Sequence, residues 1–204
     1  MTLVKICGLR RREDALAAVN YGADIAGVIL TKRFWRYVDE ETVFGIHEAL
    51  ASRIPLCGVF VDEPVSVVKS YLDQGLIDLV QLHGSESNTH IRELRTCHPE
   101  TKIIKAFQIR NESDLNGALE SEADFVLLDG GTGTGQAFNW KLIGSFSRPY
   151  LLAGGLSPEN VKDAVLANHP YGVDTSSGVE TDRVKDPTRI KDFIHAVKEA
   201  DNHE

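Results

Sequence analysis

Long apolar runs are missing from this chain of 204 residues. No run approaches the roughly 18 consecutive apolar residues of a membrane span, so a helical anchor is excluded. Cysteine is scarce: Cys7, Cys57 and Cys97 are three in number with no C-x-x-C spacing, which indicates neither a disulfide framework nor a zinc knuckle. The seven histidines show no H-E-x-x-H or comparable spacing, and no metal or other cofactor is expected. Positive charge is the minority sign, with 22 Lys and Arg against 30 Asp and Glu and a formal net charge of −8. That balance argues against nucleic acid or an acidic membrane face as partner. It leaves small-molecule chemistry open, because local N–H groups and a few cations outweigh a distant field that salt screens over about 8 Å. No linker or low-complexity tract interrupts the sequence, so the expectation is one domain over residues 1–204, with 42% hydrophobic content to fill its core. Met1-Thr2-Leu3-Val4-Lys5 runs directly into a strand pattern without a signal peptide, and a cytoplasmic location is expected.

What the sequence does contain is repetition. Eight short, β-branched apolar runs recur: Leu3–Cys7, Ile25–Leu30, Leu56–Val61, Leu79–His83, Lys102–Phe107, Phe125–Asp129, Tyr150–Ala153 and Tyr171–Asp174. Each is followed by an amphipathic or helix-forming segment: Arg12–Asn20, Asp39–Ala51, Pro64–Gln74, Glu86–Thr96, Glu112–Leu119, Trp140–Phe146, Pro158–Ala167 and Pro187–Glu199. Pro64, Pro158 and Pro187 suit first helical turns, Asp39 and Ser157 suit N-caps, and Gly22, Gly75 and Gly117 suit helix ends. Near-continuous hydrophobic strands alternating with helices read as parallel βα units covered on both faces. Eight such units with no ninth predict an α/β fold, a single-domain (β/α)8 TIM barrel near the lower end of the usual length range.

In such a barrel the chemistry stands at the C-terminal ends of the strands. The last two ends are rich in small residues, Ala153-Gly154-Gly155 and Asp174-Thr175-Ser176-Ser177-Gly178. Small residues let backbone N–H groups approach an anion, and Ser157-Pro158-Glu159 reads as the helix start that would add its N-terminus. Loops after strands seven and eight are a frequent phosphate site in this fold. Strand one ends in Cys7-Gly8, strand four in Gln81-Leu82-His83-Gly84 and strand six in Asp129-Gly130. A thiolate at Cys7 would serve as nucleophile or base, and a carboxyl at Asp129 terminates a buried strand before a Gly-rich loop; packing and loop capping are their structural alternatives. Lys5 lies two residues before Cys7, hence on the same strand face, where its charge would lower the thiol pKa.

These strings resemble the phosphoribosylanthranilate isomerase family in order and over nearly the whole chain. The resemblance rests on Val4-Lys5-Ile6-Cys7-Gly8, Glu13-Asp14-Ala15, Gly22-Ala23-Asp24, Arg36-Tyr37, Gly58-Val59-Phe60-Val61, Val80-Gln81-Leu82-His83-Gly84, Leu127-Leu128-Asp129, Phe138-Asn139-Trp140, Ala153 to Val161 and Val173 to Glu180. It implies a cofactor-free Amadori rearrangement, aminoaldose to aminoketose, in tryptophan biosynthesis, with a small phosphoribosyl compound as substrate. By position, Asp129 matches the family's general acid and Cys7 its base. Gly154, Gly155, Ser176, Ser177 and Gly178 match the phosphate cup, and Arg36 the partner of the anthranilate carboxylate, for which a planar guanidinium is well shaped. Asp174 is expected to orient backbone or sugar hydroxyls, since an anion beside phosphate is repelled. Gln81 and His83 share one strand face and read as supporting residues.

Three positions depart from the family pattern. Phe34-Trp35 precedes Arg36 where a small residue and Pro or a basic residue are usual, the loop after Asp129 is shorter, and Asn139 stands where Asp is common. Two other readings compete: a histidine-pathway or bifunctional isomerase, which would need an aspartate in place of Cys7 and a second phosphate cup, and a non-catalytic sugar-phosphate-binding barrel. Nothing in the sequence decides between monomer and dimer.

Overall fold

The computed structural model describes residues 1–130, 143–144 and 146–202. Eight parallel strands close into a barrel in sequential order: β1 (Leu3–Ile6), β2 (Ile25–Ile29), β3 (Leu56–Phe60), β4 (Leu79–Leu82), β5 (Lys102–Gln108), β6 (Phe125–Asp129), β7 (Tyr150–Ala153) and β8 (Gly172–Thr175). The ring shuts where β1 pairs with β8, Lys5 opposite Asp174 and Ile6 opposite Thr175. Seven helices pack outside among the described residues: α1 (Arg12–Tyr21), α2 (Glu40–Leu50), α3 (Val65–Asp73), α4 (Asn88–Cys97), α5 (Leu115–Leu119), α6 (Val161–Asn168) and α7 (Pro187–Asp201). Four of the seven residues of the segment expected as a further helix, Trp140–Phe146, fall outside the described residues, as does the whole Gly-rich stretch 131–135. A two-residue strand pair, β9 (Glu180–Thr181) and β10 (Val184–Lys185), forms a small hairpin between β8 and α7.

Strand alternation separates two cores. On β1, Val4 and Ile6 join the apolar layer under the helices, where Ile190, Phe193, Ile194 and Val197 of α7 are buried. Each such side chain contributes roughly 1.5–3 kcal/mol by leaving water. The opposite strand faces fill the barrel with Cys57, Ile104, Ala106, Leu127 and Leu151, backed by Ile25, Leu79 and Phe125. That plug supports the barrel from below and leaves its C-terminal mouth to polar groups.

Helix ends follow their caps. Asp39 accepts from Thr42 N at 3.0 Å to start α2, and Asp186 accepts from Thr188 N at 2.8 Å with Pro187 in the first turn of α7. Gly22 ends α1 at φ 92°, and Gly75 follows α3 at φ 64°. Two expectations fail. Gly117 lies inside α5, not at its end, and α6 begins at Val161 with Asn160, not Ser157, as its N-cap residue. Ser157 N instead donates to Asn160 Oδ1 at 2.8 Å, closing a turn that delays the helix.

Candidate active site

The mouth of the barrel holds a cavity of about 740 Å³. Cys7, Arg36, Asp129, Gly154, Gly155, Asp174, Ser176, Ser177 and Gly178 all line it, although they come from five separate strand ends. Cys7 and Asp129 stand at the ends of β1 and β6, three strand intervals apart around the ring. Groups at that spacing can approach one small molecule from two directions.

Lys5 and Cys7 both point into the barrel, as alternation requires. The space they need exists because β2 carries Gly27: a Cβ there would come 2.9 Å from Cys7 Sγ and 3.2 Å from Lys5 Nζ. Lys5 is wholly buried and donates to Asp174 Oδ1 at 2.8 Å. Burial alone pulls the Lys5 pKa down, but attraction to Asp174, Cys7 and Cys57 outweighs it and leaves the ammonium well above its ordinary range. Asp174 is therefore the counter-ion of a buried cation, in addition to lining the cavity. The Cys7 thiol is pushed up from its ordinary value, chiefly by burial, with Lys5 acting in the opposite sense. Proximity to Lys5 is thus as expected, but desolvation wins over it.

Asp129 faces His83, whose Nε2 lies 3.3 Å from Asp129 Oδ2. The other ring nitrogen, Nδ1, is 2.8 Å from Gln81 Nε2. With Nδ1 accepting from that amide, Nε2 keeps its hydrogen and directs it at the carboxylate. Gln81 and His83 thus form a short chain behind Asp129, side by side on β4.

Just after β7, Gly154 and Gly155 adopt φ 100° and 67°, conformations that L side chains rarely take. A Cβ on Gly178 would overlap the Leu156 carbonyl oxygen, which already accepts from Thr175 Oγ1 at 2.7 Å. The two loops therefore interlock through glycine. The backbone N–H groups of Gly154, Gly155 and Ser176 donate to no other group among the described residues, which leaves them available to an anion. The helix N-terminus expected at Ser157 is displaced by the 157–160 turn, so the cup is built from bare loop backbone.

Arg36 is not a loose surface residue. Its Nε and Nη2 donate to Glu180 Oε1 and Oε2 at 2.9 and 2.8 Å, and its Cζ sits 4.1 Å from the centroid of a Trp35 ring. Glu180 also accepts from Lys185 Nζ at 2.8 Å, and Lys185 donates to Ser176 O at 2.8 Å. Glu180, Lys185 and Gly27 were missed as site residues in the sequence. Glu180 stood within a recognised string; Lys185 and Gly27 gave no local signal. Among the described residues, no group of three His, Cys, Asp or Glu side chains is arranged to hold a metal ion, and no helix is long and apolar enough to cross a membrane.

Residues 4–196 match the family model described as N-(5'phosphoribosyl)anthranilate (PRA) isomerase. The chain is 42% identical over 199 residues to N-(5'-phosphoribosyl)anthranilate isomerase of Lacticaseibacillus casei, covering 98% of this chain and 96% of the relative. It is 40% identical over 214 residues to the protein of that name from Acetivibrio thermocellus, with 98% of each covered. The crystal structure of phosphoribosyl anthranilate isomerase from Thermotoga maritima superposes with a TM-score of 0.89 at 36% identity, covering 98% of this chain and 100% of that one. Another solved structure, of phosphoribosyl anthranilate isomerase in complex with reduced 1-(o-carboxyphenylamino)-1-deoxyribulose 5-phosphate, superposes with a TM-score of 0.88 at 35% identity, covering 98% and 100% of the two chains.

Proposed function

Since the chain belongs to the N-(5'-phosphoribosyl)anthranilate isomerase family, we propose that Cys7 is the base and Asp129 the acid of its reaction, with Arg36 and the Gly154–Gly155 and Ser176–Gly178 loops holding the two anionic ends of the substrate. The enzyme is an aldose–ketose isomerase of tryptophan biosynthesis, converting N-(5-phosphoribosyl)anthranilate to 1-(2-carboxyphenylamino)-1-deoxyribulose 5-phosphate. One domain spanning residues 1–204 carries the activity, and the enzyme works in the cytoplasm on a small-molecule substrate.

Protonated Asp129 gives its proton to the furanose oxygen, the C1–O bond breaks, and the aniline nitrogen lone pair forms a protonated Schiff base. Cys7 as thiolate then takes the proton from C2, which the adjacent iminium has acidified, and the electron pair moves to give an enolamine. Tautomerisation yields the ketone. The second step needs Cys7 as thiolate, the less common form of a thiol near neutral pH, so its surroundings matter. Burial works against the Cys7 thiolate, and the Lys5 ammonium offsets part of that cost.

The observation that carries this reading is the shared cavity: a thiol and a carboxyl on different sides of the mouth, with backbone N–H groups that have no partner among the described residues along one rim and a guanidinium at another. The histidine-pathway alternative needs a second phosphate cup at the half-barrel position. There, Asp62 accepts from Ser85 N at 2.6 Å, while Glu86 accepts from Gly84 N at 2.9 Å and Asp62 N at 2.8 Å. Carboxylates occupy the donors that a second phosphate would use.

The test is conversion of freshly generated N-(5-phosphoribosyl)anthranilate, followed by loss of its fluorescence, for wild type, Cys7→Ala and Asp129→Asn. Loss of turnover by at least about a hundredfold in each variant, with product affinity kept within a few-fold, is the expected result. Either variant turning over like wild type removes that residue from the chemistry. Arg36→Ala should raise KM more than it lowers kcat, because its contact serves ground and transition states alike.

A further inference from the structure

The departure from the family pattern at Phe34-Trp35 sits directly on Arg36. A guanidinium has five N–H donors and two flat faces. Glu180 takes the Nε–Nη2 edge with two parallel bonds of 2.9 and 2.8 Å. The Trp35 ring lies under one face, with Arg36 Cζ 4.1 Å from a ring centroid. On the backbone side, Gly8 leaves room that a Cβ would fill to within 2.9 Å of Arg36 Cδ. What remains unengaged by these contacts is the Nη1–Nη2 end, which carries the second fork able to meet a carboxylate.

The supports of Arg36 are themselves tied down. Glu180 is nearly buried and is shared with Lys185, which reaches back to Ser176 in the proposed phosphate loop. The Trp35 indole is also approached by Arg10 at 4.9 Å and Arg183 at 5.5 Å, and Arg10 Nη2 donates to Arg183 O at 2.6 Å. One aromatic ring thus joins the loops after β1, β2 and β8 through three cations, a geometry in which the ring face attracts each guanidinium. Removing the indole would free Arg36 to rotate about its bonds to Glu180 and would bring the like charges of Arg10, Arg36 and Arg183 together without their shared partner.

We propose that Trp35 and Glu180 are positioning residues that orient Arg36, so that its Nη1–Nη2 end selects a substrate bearing a ring carboxylate. The inference rests on the reading of Arg36 given above and goes beyond it: the discrimination belongs to the Trp35–Arg36–Glu180 unit, not to a free arginine. Trp35 is about half exposed, so its replacement does not open the core.

The test uses two inhibitors, reduced 1-(2-carboxyphenylamino)-1-deoxyribulose 5-phosphate and its phenylamino counterpart lacking the carboxylate. The ratio of their dissociation constants is measured for wild type, Trp35→Leu, Trp35→Phe, Glu180→Gln and Arg36→Ala. Wild type should favour the carboxylated ligand on the order of tenfold or more, the strength of a charge-assisted pair. Trp35→Leu and Glu180→Gln should each reduce that ratio several-fold, and Trp35→Phe should recover most of it because a flat ring face is retained. Binding of the phenylamino ligand should change little in Trp35→Leu, a split that general loosening of the mouth would not produce. A wild-type ratio in Trp35→Leu, alongside a ratio near one in Arg36→Ala, overturns the proposal while sparing the role of Arg36. A wild-type ratio in Arg36→Ala overturns both.

Discussion

Lys5 Nζ and Asp174 Oδ1 meet at 2.8 Å across the β1–β8 seam, the pair that closes the barrel, and Cys7 hangs one pleat above them on the same face. The closing contact of the fold and the electrostatic setting of the proposed base are therefore the same interaction. Replacing Lys5 by Met should affect both. Asp174 would be left as an almost buried carboxylate without its cation, at a cost of about 3–5 kcal/mol. Cys7 would lose the charge that opposes its upward shift. Since the reaction uses the thiolate, the rising limb of the kcat/KM–pH profile should move to higher pH in any folded Lys5→Met enzyme. A limb at the wild-type position would mean that Lys5 serves the fold alone.

Stability should fall on the alkaline side for a related reason. Burial pushes the Cys57 thiol up to about 12 from its ordinary 9.0, and Cys7 and Lys5 are raised as well. Groups raised in the folded state contribute stability that is whole below their unfolded pKa and is lost as pH climbs through the folded value. For Cys57 that window runs from about pH 9 to about 12, the unfolded chain releasing its proton first. Urea midpoints taken across this range should decline, and Cys57→Ala should decline less steeply while being weaker at neutral pH. An equal slope in the two proteins would reject the assignment to Cys57.

Gly27 should not tolerate even alanine. A Cβ would stand 2.9 Å from Cys7 Sγ and 3.3 Å from Cys7 Cα, closer than ordinary packing allows. The thiol must move, and misplacement on the scale of 1 Å costs about a hundredfold in rate. Gly27→Ala should lower kcat by at least about tenfold with a smaller change in KM, and near-UV circular dichroism should report whether the core stays ordered. Wild-type kcat would show that the thiol's position is not critical.

The pattern of strands was legible because a parallel barrel writes the same apolar run at each turn of the chain. Cys7, Asp129 and the glycine loops were legible because they sit at strand ends, where the fold gathers its chemistry. Less could be read where meaning arises from contact. Gly27 is required by side chains on a neighbouring strand, and a glycine in a strand carries no mark of that. Glu180 and Lys185 matter through a hairpin that folds back on the mouth, 5 residues apart in sequence but bonded to each other. Ser157 looked like a helix cap because its type is right; the Asn160 side chain closes the preceding turn instead, donating to Gly155 O at 2.9 Å. Lys5 acts on the Cys7 thiol in the sense its place on the strand implies, but burial, which a sequence does not display, acts more strongly in the other direction.

Behind Asp129, the order Gln81–His83–Asp129 gives each member a distinct task, and a double-mutant cycle can separate them. With Nδ1 accepting from Gln81 Nε2 at 2.8 Å, His83 presents its Nε2–H to Asp129. Gln81→Leu would remove the donor that holds the imidazole in place, loosening the support His83 gives the carboxylate that forms as Asp129 releases its proton. His83→Ala withdraws it directly. Each should lower kcat on the order of tenfold, the worth of one charge-assisted hydrogen bond. Because Gln81 acts through His83, the double variant should be no slower than His83→Ala alone, and the coupling energy should nearly equal the effect of Gln81→Leu. Losses that multiply instead would show Gln81 acting on the site by its own route, and the chain of three would have to be abandoned.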